Sequence, residues 1–236
     1  MTVVIGILNA DEVRPTLKAE YGDYPAMFTR LLTAVDPTIQ TIAYDVFTGE
    51  YPNDIDEVDA YIMTGCRYSV YEEQTWIKRL GQFVIDLDTR KKKLIGICFG
   101  HQMVAHFLGG ETRKSAQGWL VGIQHCTLQQ DIPGFSKTGD TLQLIAAHQD
   151  QITCLAEGTK IIASSDACPY AITTLGQHIL TLQWHPEFSK QYARDLLDLR
   201  RDVFGETASK IAKEGLHQNV DNARVADWII HFIRQQ

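Results

Sequence analysis

One cysteine of the chain stands where a reactive thiol is expected, between two glycines at the junction of a predicted strand and a predicted helix. Residues 96–100 read Gly-Ile-Cys-Phe-Gly, with Cys98 at the centre. Such a sharp turn needs small residues two places before and two places after its apex, and it lifts the apical side chain above the carboxyl edge of a sheet. The N-terminus of the following helix also favours a thiolate. The setting therefore predicts a nucleophile at Cys98 rather than a small core residue, the usual role of an isolated cysteine.

A thiolate nucleophile needs an imidazole that takes its proton and later delivers a proton to the leaving amine. Among the eight histidines, His185 lies in a His-Pro-Glu segment directly after a predicted strand. In an extended segment residues two apart point the same way, so Glu187 can accept a hydrogen bond from His185 and fix its tautomer. His-Pro-Glu alone is more often a surface turn. Together with the turn at Cys98, it predicts a triad of Cys98, His185 and Glu187.

The other histidines fit structural roles better than catalytic ones. His101 is expected to pack or to hydrogen-bond behind the turn at Cys98. It lies five residues from His106 on a predicted helix, so the two side chains do not share a face and no metal site is predicted there. His148 is in a predicted loop, where lining a pocket and pointing into solvent remain equal alternatives.

The elements that must position these residues alternate along the first half of the chain. Apolar patterns predict strands over 3–8, 38–47, 58–63 and 94–97, with helices over 25–35, 73–87 and 101–108. This alternation is typical of an α/β fold with a mixed, mainly parallel sheet and helices on both faces. Short strands follow, and they are expected to form antiparallel pairs that extend or flank this sheet; they are predicted over 118–128, 141–147, 160–164, 170–175 and 178–183. Residues 1–236 are predicted to form one domain, with a helical C-terminal extension over about 190–236.

The composition excludes several classes of function. The chain has 236 residues and a net charge of −7, which argues against a broad nucleic-acid surface or binding to an anionic membrane. No apolar stretch approaches the ~20 residues of a membrane span, and the N-terminal residues are typical of a first strand rather than a signal peptide. Five widely spaced cysteines without a C-x-x-C pair favour free thiols in a reducing cytoplasm.

Four segments resemble signatures of the class I glutamine amidotransferases and, within them, of the amidotransferase domain of GMP synthetase. Residues 96–102 are similar to the nucleophile signature of that family, and residues 184–187 to its second signature. Residues 64–71 resemble the family's oxyanion loop, and residues 148–150 resemble the His-x-Asp of the GMP synthetase branch. The segments occur in a consistent order between about residues 40 and 190, which makes the resemblance more specific than any single motif.

The resemblance implies a mixed sheet with flanking helices around a flavodoxin-like core. It also implies that Cys98 attacks the side-chain amide carbon of glutamine, or of another γ-glutamyl compound, to form a γ-glutamyl thioester that water hydrolyses. Backbone N–H groups of Phe99 and of the Gly65-Cys66 loop would hold the oxyanion, and Gln102 matches a position that contacts the substrate. No metal or organic cofactor is implied, because a nucleophile, a base and oxyanion donors suffice.

Two departures from the family pattern bear on the substrate. Residues 65–67 read Gly-Cys-Arg where the family usually has Gly-Gly-Pro. A Cβ atom at Cys66 and a free N–H at Arg67 are therefore expected to change the geometry of the oxyanion loop. In addition, no synthetase domain is expected after the His-Pro-Glu segment, and the predicted helices over 190–236 are expected to exceed what a bare amidotransferase needs.

Three functions from different classes are consistent with these residues. The first is a glutamine amidotransferase that releases ammonia from glutamine for a separate synthetase subunit. The second is a free-standing hydrolase of γ-glutamyl amides or peptides, which needs no partner. The third is a non-enzymatic regulator on the same fold, and the presence of Cys98, His185 and Glu187 together argues against it.

Overall fold

A nine-stranded mixed sheet forms the centre of the computed structural model, which describes residues 2–235. The strand order is β2-β1-β3-β4-β11-β10-β9-β6-β7. The first five strands in this order are parallel, and the remaining pairs are antiparallel. The strands of this sheet are β1 (Val4–Asn9), β2 (Gln40–Asp45), β3 (Ala60–Met63), β4 (Lys93–Ile97), β6 (Leu120–Leu128), β7 (Thr141–His148), β9 (Thr159–Ser164), β10 (Ile172–Leu175) and β11 (Ile179–Leu182).

Helices cover both faces of the parallel part of the sheet. The strands alternate their side chains between the faces, so that Ile5 and Ile7 of β1 contribute to one apolar cluster and Leu8 to another. Two helices pack against the first face, namely α2 (Tyr24–Val35) and α8 (Asn222–Arg234), and two against the second, namely α3 (Thr75–Thr89) and α4 (Phe99–Phe107). The predicted α/β architecture is confirmed.

The remaining helices pack in a third apolar cluster near the carboxyl end of the parallel strands. These helices are α1 (Pro15–Tyr21), α5 (Lys190–Leu199), α6 (Arg201–Phe204) and α7 (Glu206–Gly215). The close packing of α7 on β6 depends on Gly122, where an added Cβ would lie 2.7 Å from Cβ of Ala212. The C-terminal segment is thus helical, as expected, and its division from the rest as an extension stays a prediction.

Two parts of the fold were not predicted from the sequence. Helix α1 has seven residues, and a separate two-stranded antiparallel sheet pairs β5 (Glu111–Lys114) with β8 (Asp150–Cys154). Both are too short for a periodic apolar pattern to stand out. By contrast, the helix predicted over 25–35 begins only one residue earlier, at Tyr24, where the Asp23 carboxylate accepts a hydrogen bond from the Ala26 N–H at 3.0 Å.

Within residues 2–235, no helix combines the length and the hydropathy that crossing a membrane requires.

Candidate active site

Cys98 occupies a strained turn between β4 and α4. Its backbone has φ 52° and ψ −97°, a conformation that non-glycine residues rarely adopt. The Cys98 N–H donates to the Leu182 carbonyl at 2.8 Å, which holds the turn against β11. An added Cβ at Gly96 would lie 2.6 Å from the Gly100 carbonyl oxygen, and one at Gly100 would lie 2.7 Å from that of Met63. The two flanking glycines are therefore required sterically, as the turn motif predicts.

His185 and Glu187 form a buried hydrogen-bonded pair at the end of β11. Nδ1 of His185 and Oε1 of Glu187 are 2.7 Å apart, and the two residues are only 4% and 7% exposed. An ionised carboxylate can only accept, so the imidazole donates from Nδ1 and its Nε2 is left for other partners. The segment is not extended, contrary to the prediction from the sequence, because residues 186–187 form a turn. The His185 N–H donates to the Ile145 carbonyl at 2.8 Å, which anchors this turn to β7.

The imidazole of His185 lies beside the thiol of Cys98 across Gly65. A Cβ added at Gly65 would lie 2.8 Å from Cε1 of His185 and 3.6 Å from Cβ of Cys98. On its other side the imidazole stacks on Phe188, with ring centroids 4.0 Å apart and an angle of 5° between the planes. The ring is therefore fixed in position by contacts on both sides. The structure thus brings together residues that are 87 positions apart in the sequence (185 minus 98).

The surroundings of His185 favour its charged form. Burial alone would lower the pKa of His185, but the Glu187 carboxylate and the Cys98 side chain outweigh this effect and raise the pKa to about 10. An imidazolium is therefore favoured at neutral pH. This is the charge state that can deliver a proton to a leaving group.

Two adjoining cavities open at Cys98. The larger has a volume of about 230 Å³ and is lined by residues that include Gln102, His148 and Asp150. The smaller, of about 50 Å³, is lined by residues that include Gly65 and His185. Five residues line both cavities, and they are Cys66, Arg67, Cys98, Ala147 and Arg200. The sulfur is thus accessible from two directions, although Cys98 is only 6% exposed.

The loop after β3 provides backbone donors next to Cys98. No acceptor for the N–H groups of Cys66 and Phe99 is found among residues 2–235, so both are available to a ligand. Arg67, which departs from the family pattern, is held by a specific partner. Its N–H and its Nε–H both donate to Oδ2 of Asp11 at 2.9 Å. The thiol of Cys66 donates to the Ala10 carbonyl at 3.2 Å. Cys66 and Arg67 thus anchor the loop after β3 to the loop after β1.

Gln102 lies in the wall of the larger cavity, where its amide holds other groups in place. The side-chain NH2 donates to the Asp150 carbonyl at 2.8 Å and to Oε1 of Gln183 at 3.2 Å. Gln183 in turn directs its own amide toward the sulfur of Cys98 at 3.7 Å. Gln183 was not predicted from the sequence, although its position two residues before His185, at the end of the same strand, is a usable signal. Substrate contact by Gln102 stays a prediction.

Two further histidines are buried near Cys98. His148 lines the larger cavity, and burial lowers its pKa to about 4. His101 lies behind the turn, as expected, where Nδ1 is 2.7 Å from Oγ1 of Thr181, and burial lowers its pKa to about 3. Both are therefore neutral at pH 7. Within residues 2–235, no group of three or more His, Cys, Asp or Glu side chains is placed to hold a metal ion.

Comparison with known proteins assigns the family. The model of the glutamine amidotransferase class-I family matches residues 40–198. The chain belongs to the class I glutamine amidotransferase family. Gamma-glutamyl peptidase 3 of Arabidopsis thaliana is 30% identical to this amidotransferase-family chain over 190 residues, which are 77% of this chain and 76% of the relative. A glutamine-hydrolysing GMP synthase component of Methanosphaera stadtmanae is 32% identical over 115 residues, which are 47% of this chain and 60% of the relative.

A solved structure supports the fold of this class I amidotransferase. A glutamine amidotransferase from Thermotoga maritima superposes with a TM-score of 0.77 at 18% identity, covering 99% of this chain and 96% of the other. The expected family fold is therefore confirmed, and the resemblance stated from the sequence is confirmed as well. The superposition includes α6, α7 and α8, which lie outside the match to the family model.

Proposed function

We propose that the chain hydrolyses γ-glutamyl amides through a thioester on Cys98, with His185 as acid and base and Glu187 as the group that orients it. The observation that carries this proposal is the pair of His185 and Glu187, 2.7 Å apart and buried, beside a cysteine on a strained turn. Membership of the class I amidotransferase family supports the same chemistry.

The first half-reaction forms the thioester. The Cys98 thiolate attacks the amide carbon of the substrate, a C–S bond forms, and the carbonyl electrons move to oxygen. In this proposal the free N–H groups of Cys66 and Phe99 donate to that oxyanion. The imidazolium of His185 gives its Nε2 proton to the amide nitrogen, so that the C–N bond breaks and the amine leaves neutral.

The second half-reaction restores the thiolate. A water molecule enters where the amine left, and neutral His185 takes a proton from it as it attacks the thioester carbon. The C–S bond breaks, glutamate leaves, and Cys98 and His185 return to thiolate and imidazolium. Glu187 accepts from Nδ1 throughout, which keeps Nε2 directed at the reacting atoms.

A γ-glutamyl peptide is the substrate that we favour, and glutamine is the second candidate. The peptidase relative matches 77% of this chain and 76% of its own length, whereas a GMP synthase of Thermotoga sp. matches 70% of this chain and only 31% of its own length. The second candidate would supply ammonia to a separate synthetase subunit. We place the reaction in the cytoplasm, because thiol chemistry of this kind requires reduced cysteines.

The proposal is tested by incubating the purified chain with glutamine, γ-glutamyl amides and γ-glutamyl dipeptides. The released ammonia or amine is measured. We expect turnover of γ-glutamyl dipeptides without any partner. The variant Cys98→Ser should lower kcat/KM about 10⁴-fold or more. Cys154→Ser is the matched control, because this exposed thiol lines neither cavity, and it should keep the wild-type rate.

The outcomes separate the candidates. Ammonia release from glutamine that appears only after a synthetase is added would favour the second candidate. A Cys98→Ser variant with the wild-type rate would remove Cys98 from the reaction and contradict the proposed chemistry as a whole.

A further inference from the structure

Arg200 places a positive charge at the mouth of both cavities that open at Cys98. It separates α5 from α6, and its side chain lines the larger cavity and the smaller one. No carboxylate of residues 2–235 lies within 4.0 Å of its guanidinium, although the residue is half-buried. A half-buried guanidinium without a carboxylate partner is uncommon, because burial of a charge is costly unless the charge is paired.

Aromatic rings hold the Arg200 guanidinium in place. Its Cζ lies 5.1 Å from the ring centroid of Trp119 and 4.7 Å from that of Phe204. These two rings pack edge to face, with centroids 4.9 Å apart. Such cation–π contacts orient a guanidinium while its N–H donors stay unused. The side chain is therefore positioned before any ligand arrives.

A second unpaired arginine lies on the side of the smaller cavity. Arg14 lines this cavity with Arg200 and His185, and none of the carboxylates in the described chain is within 4.0 Å of it. Burial and the neighbouring Arg14 lower the pKa of Arg200, as expected where positive charges face each other. Arg67 is different, since its charge is matched by Asp11 at 2.6 Å. Glu12 also lines the smaller cavity but pairs with neither arginine, so the lining carries three arginines against two carboxylates, and Arg14 and Arg200 are the arginines without an ion-pair partner among residues 2–235.

This excess charge lies on the side from which the amine leaves. His185 lines the smaller cavity, whereas Gln102 and Asp150 line the larger one. In the proposed reaction His185 protonates the departing nitrogen, so the group attached to that nitrogen must extend along the smaller cavity. A negative charge on that group would meet Arg200 and Arg14.

We propose that Arg200 is a specificity-determining residue that binds a carboxylate on the leaving amine. The favoured substrates are then γ-glutamyl peptides with a free carboxylate on the residue after the scissile bond, ahead of glutamine and of neutral γ-glutamyl amides. This inference rests on the proposed function, since it needs the amine to leave beside His185. A guanidinium binds a carboxylate through two parallel N–H···O bonds.

A matched pair of substrates tests the inference, namely γ-glutamylglycine and γ-glutamylglycinamide, which differ by one negative charge. For the wild-type chain we expect kcat/KM to be about 10- to 100-fold higher for the acid, the effect of one charge-assisted hydrogen-bonded pair. Arg200→Met retains the apolar stem and should bring this ratio close to one through a fall in kcat/KM for the acid. Arg200→Lys should retain part of the preference.

Arg201→Met is the control for removing a neighbouring charge. Arg201 is exposed, pairs with Asp198 at 2.9 Å and lines neither cavity, so the wild-type ratio should persist. A ratio near one in the wild type, or an unchanged ratio in Arg200→Met, would overturn the inference and leave the proposed function standing. Equal losses on both compounds and on glutamine would also overturn it, because Arg200 would then bind the γ-glutamyl group itself. Turnover of none of these compounds by the wild type would instead refute the proposed function, and the inference with it.

Discussion

The floor and the rim of the candidate site are held in place by different forces. We define the floor as Gly65, Cys98, His185 and Glu187. An added methyl group at Gly65, or at either glycine that flanks Cys98, would meet another atom at less than 3 Å. We define the rim as Asp11, Arg14, Arg67 and Arg200, which are polar side chains from the loop after β1, the loop after β3 and the junction of α5 and α6. Steric exclusion at glycines, together with the hydrogen bond and the ring stacking of His185, fixes the floor. The Asp11–Arg67 ion pair and the cation–π contacts of Arg200 fix the rim.

This difference separates chemistry from selectivity. Close-packed atoms tolerate little change in volume, and a buried hydrogen-bonded pair tolerates no change of partner, so a substitution in the floor disturbs a reacting group. Polar side chains in the rim can be replaced with little effect on their neighbours, although the charge presented to a ligand changes. We therefore expect floor variants to lose activity on every substrate and rim variants to change the ranking of substrates.

Gly65→Ala should have the largest effect among the following variants. The new methyl group would lie 2.8 Å from Cε1 of His185, so the imidazole or the oxyanion loop must move. A misplacement of about 1 Å can lower the rate about 10²-fold, and loss of an oxyanion donor costs a similar factor, so kcat/KM should fall about 10²- to 10³-fold. Gly215→Ala, in α7 with ordinary contact distances, is the control. Wild-type turnover by Gly65→Ala would show that the floor is not sterically fixed.

Glu187→Gln should lower kcat about 10²-fold on acidic and neutral substrates alike. The neutral amide can donate as well as accept, so it no longer enforces the tautomer with Nε2 free. Steady-state kinetics on both substrates measure this loss. A loss confined to one of them would place Glu187 in the rim rather than in the floor.

The same variant has a testable pH signature in stability. The pKa of His185 is raised to about 10 in the folded chain, against about 6.5 for an unperturbed histidine. A raised pKa stabilises the folded state fully below the unfolded value, and this contribution is lost as pH rises through the folded value. The wild type should exceed Glu187→Gln in free energy of unfolding by about 1–3 kcal/mol near pH 6. Urea unfolding should show this difference shrinking toward pH 10, and a difference that grows with pH would contradict the assignment.

Gln183→Met should lower kcat/KM about 10-fold. It removes a weak donor to the sulfur of Cys98 and leaves the amide of Gln102 with one partner fewer. Thiol reactivity toward a small alkylating reagent should fall together with turnover. Reduced turnover with unchanged alkylation would instead attribute the effect to the pocket wall.

Asp11→Asn should have the smallest effect, a rise in KM of about 3-fold with kcat nearly unchanged. The substitution would weaken the ion pair with Arg67, but the backbone N–H of Arg67 could still donate to the amide oxygen of the new side chain. Glu73→Gln, which weakens an exposed ion pair with Lys78 and lines neither cavity, is the control and should match the wild type. A large fall in kcat would show that this ion pair belongs functionally to the floor.

The floor could be predicted from the sequence because its signals are local. Gly96, Cys98 and Gly100 share one turn, and His185 and Glu187 are separated by a single proline. The geometry predicted for the segment from His185 to Glu187 was wrong in detail, since the two residues are connected by a turn and not by an extended segment.

The rim could not be predicted, because its members come from three distant parts of the chain. Arg200 is 102 positions after Cys98 (200 minus 98), and no local spacing indicates that α5 ends above the mouth of the site. Asp11 lies in a loop whose partner, Arg67, stands out in the sequence only as a departure from a family pattern. Such contacts depend on how helices return over a sheet, which periodicity alone does not specify.

The stacking of His185 on Phe188 has a kinetic consequence. A ring held face to face at 4.0 Å and hydrogen-bonded at Nδ1 cannot turn between two partners during a catalytic cycle. In the proposed reaction one nitrogen then serves the outgoing amine and the incoming water in succession, at a single position that holds one of them at a time. An amine present at high concentration would compete with water for that position and regenerate an amide bond. The protein should then act as a transferase, with the ratio of transfer to hydrolysis set by amine concentration.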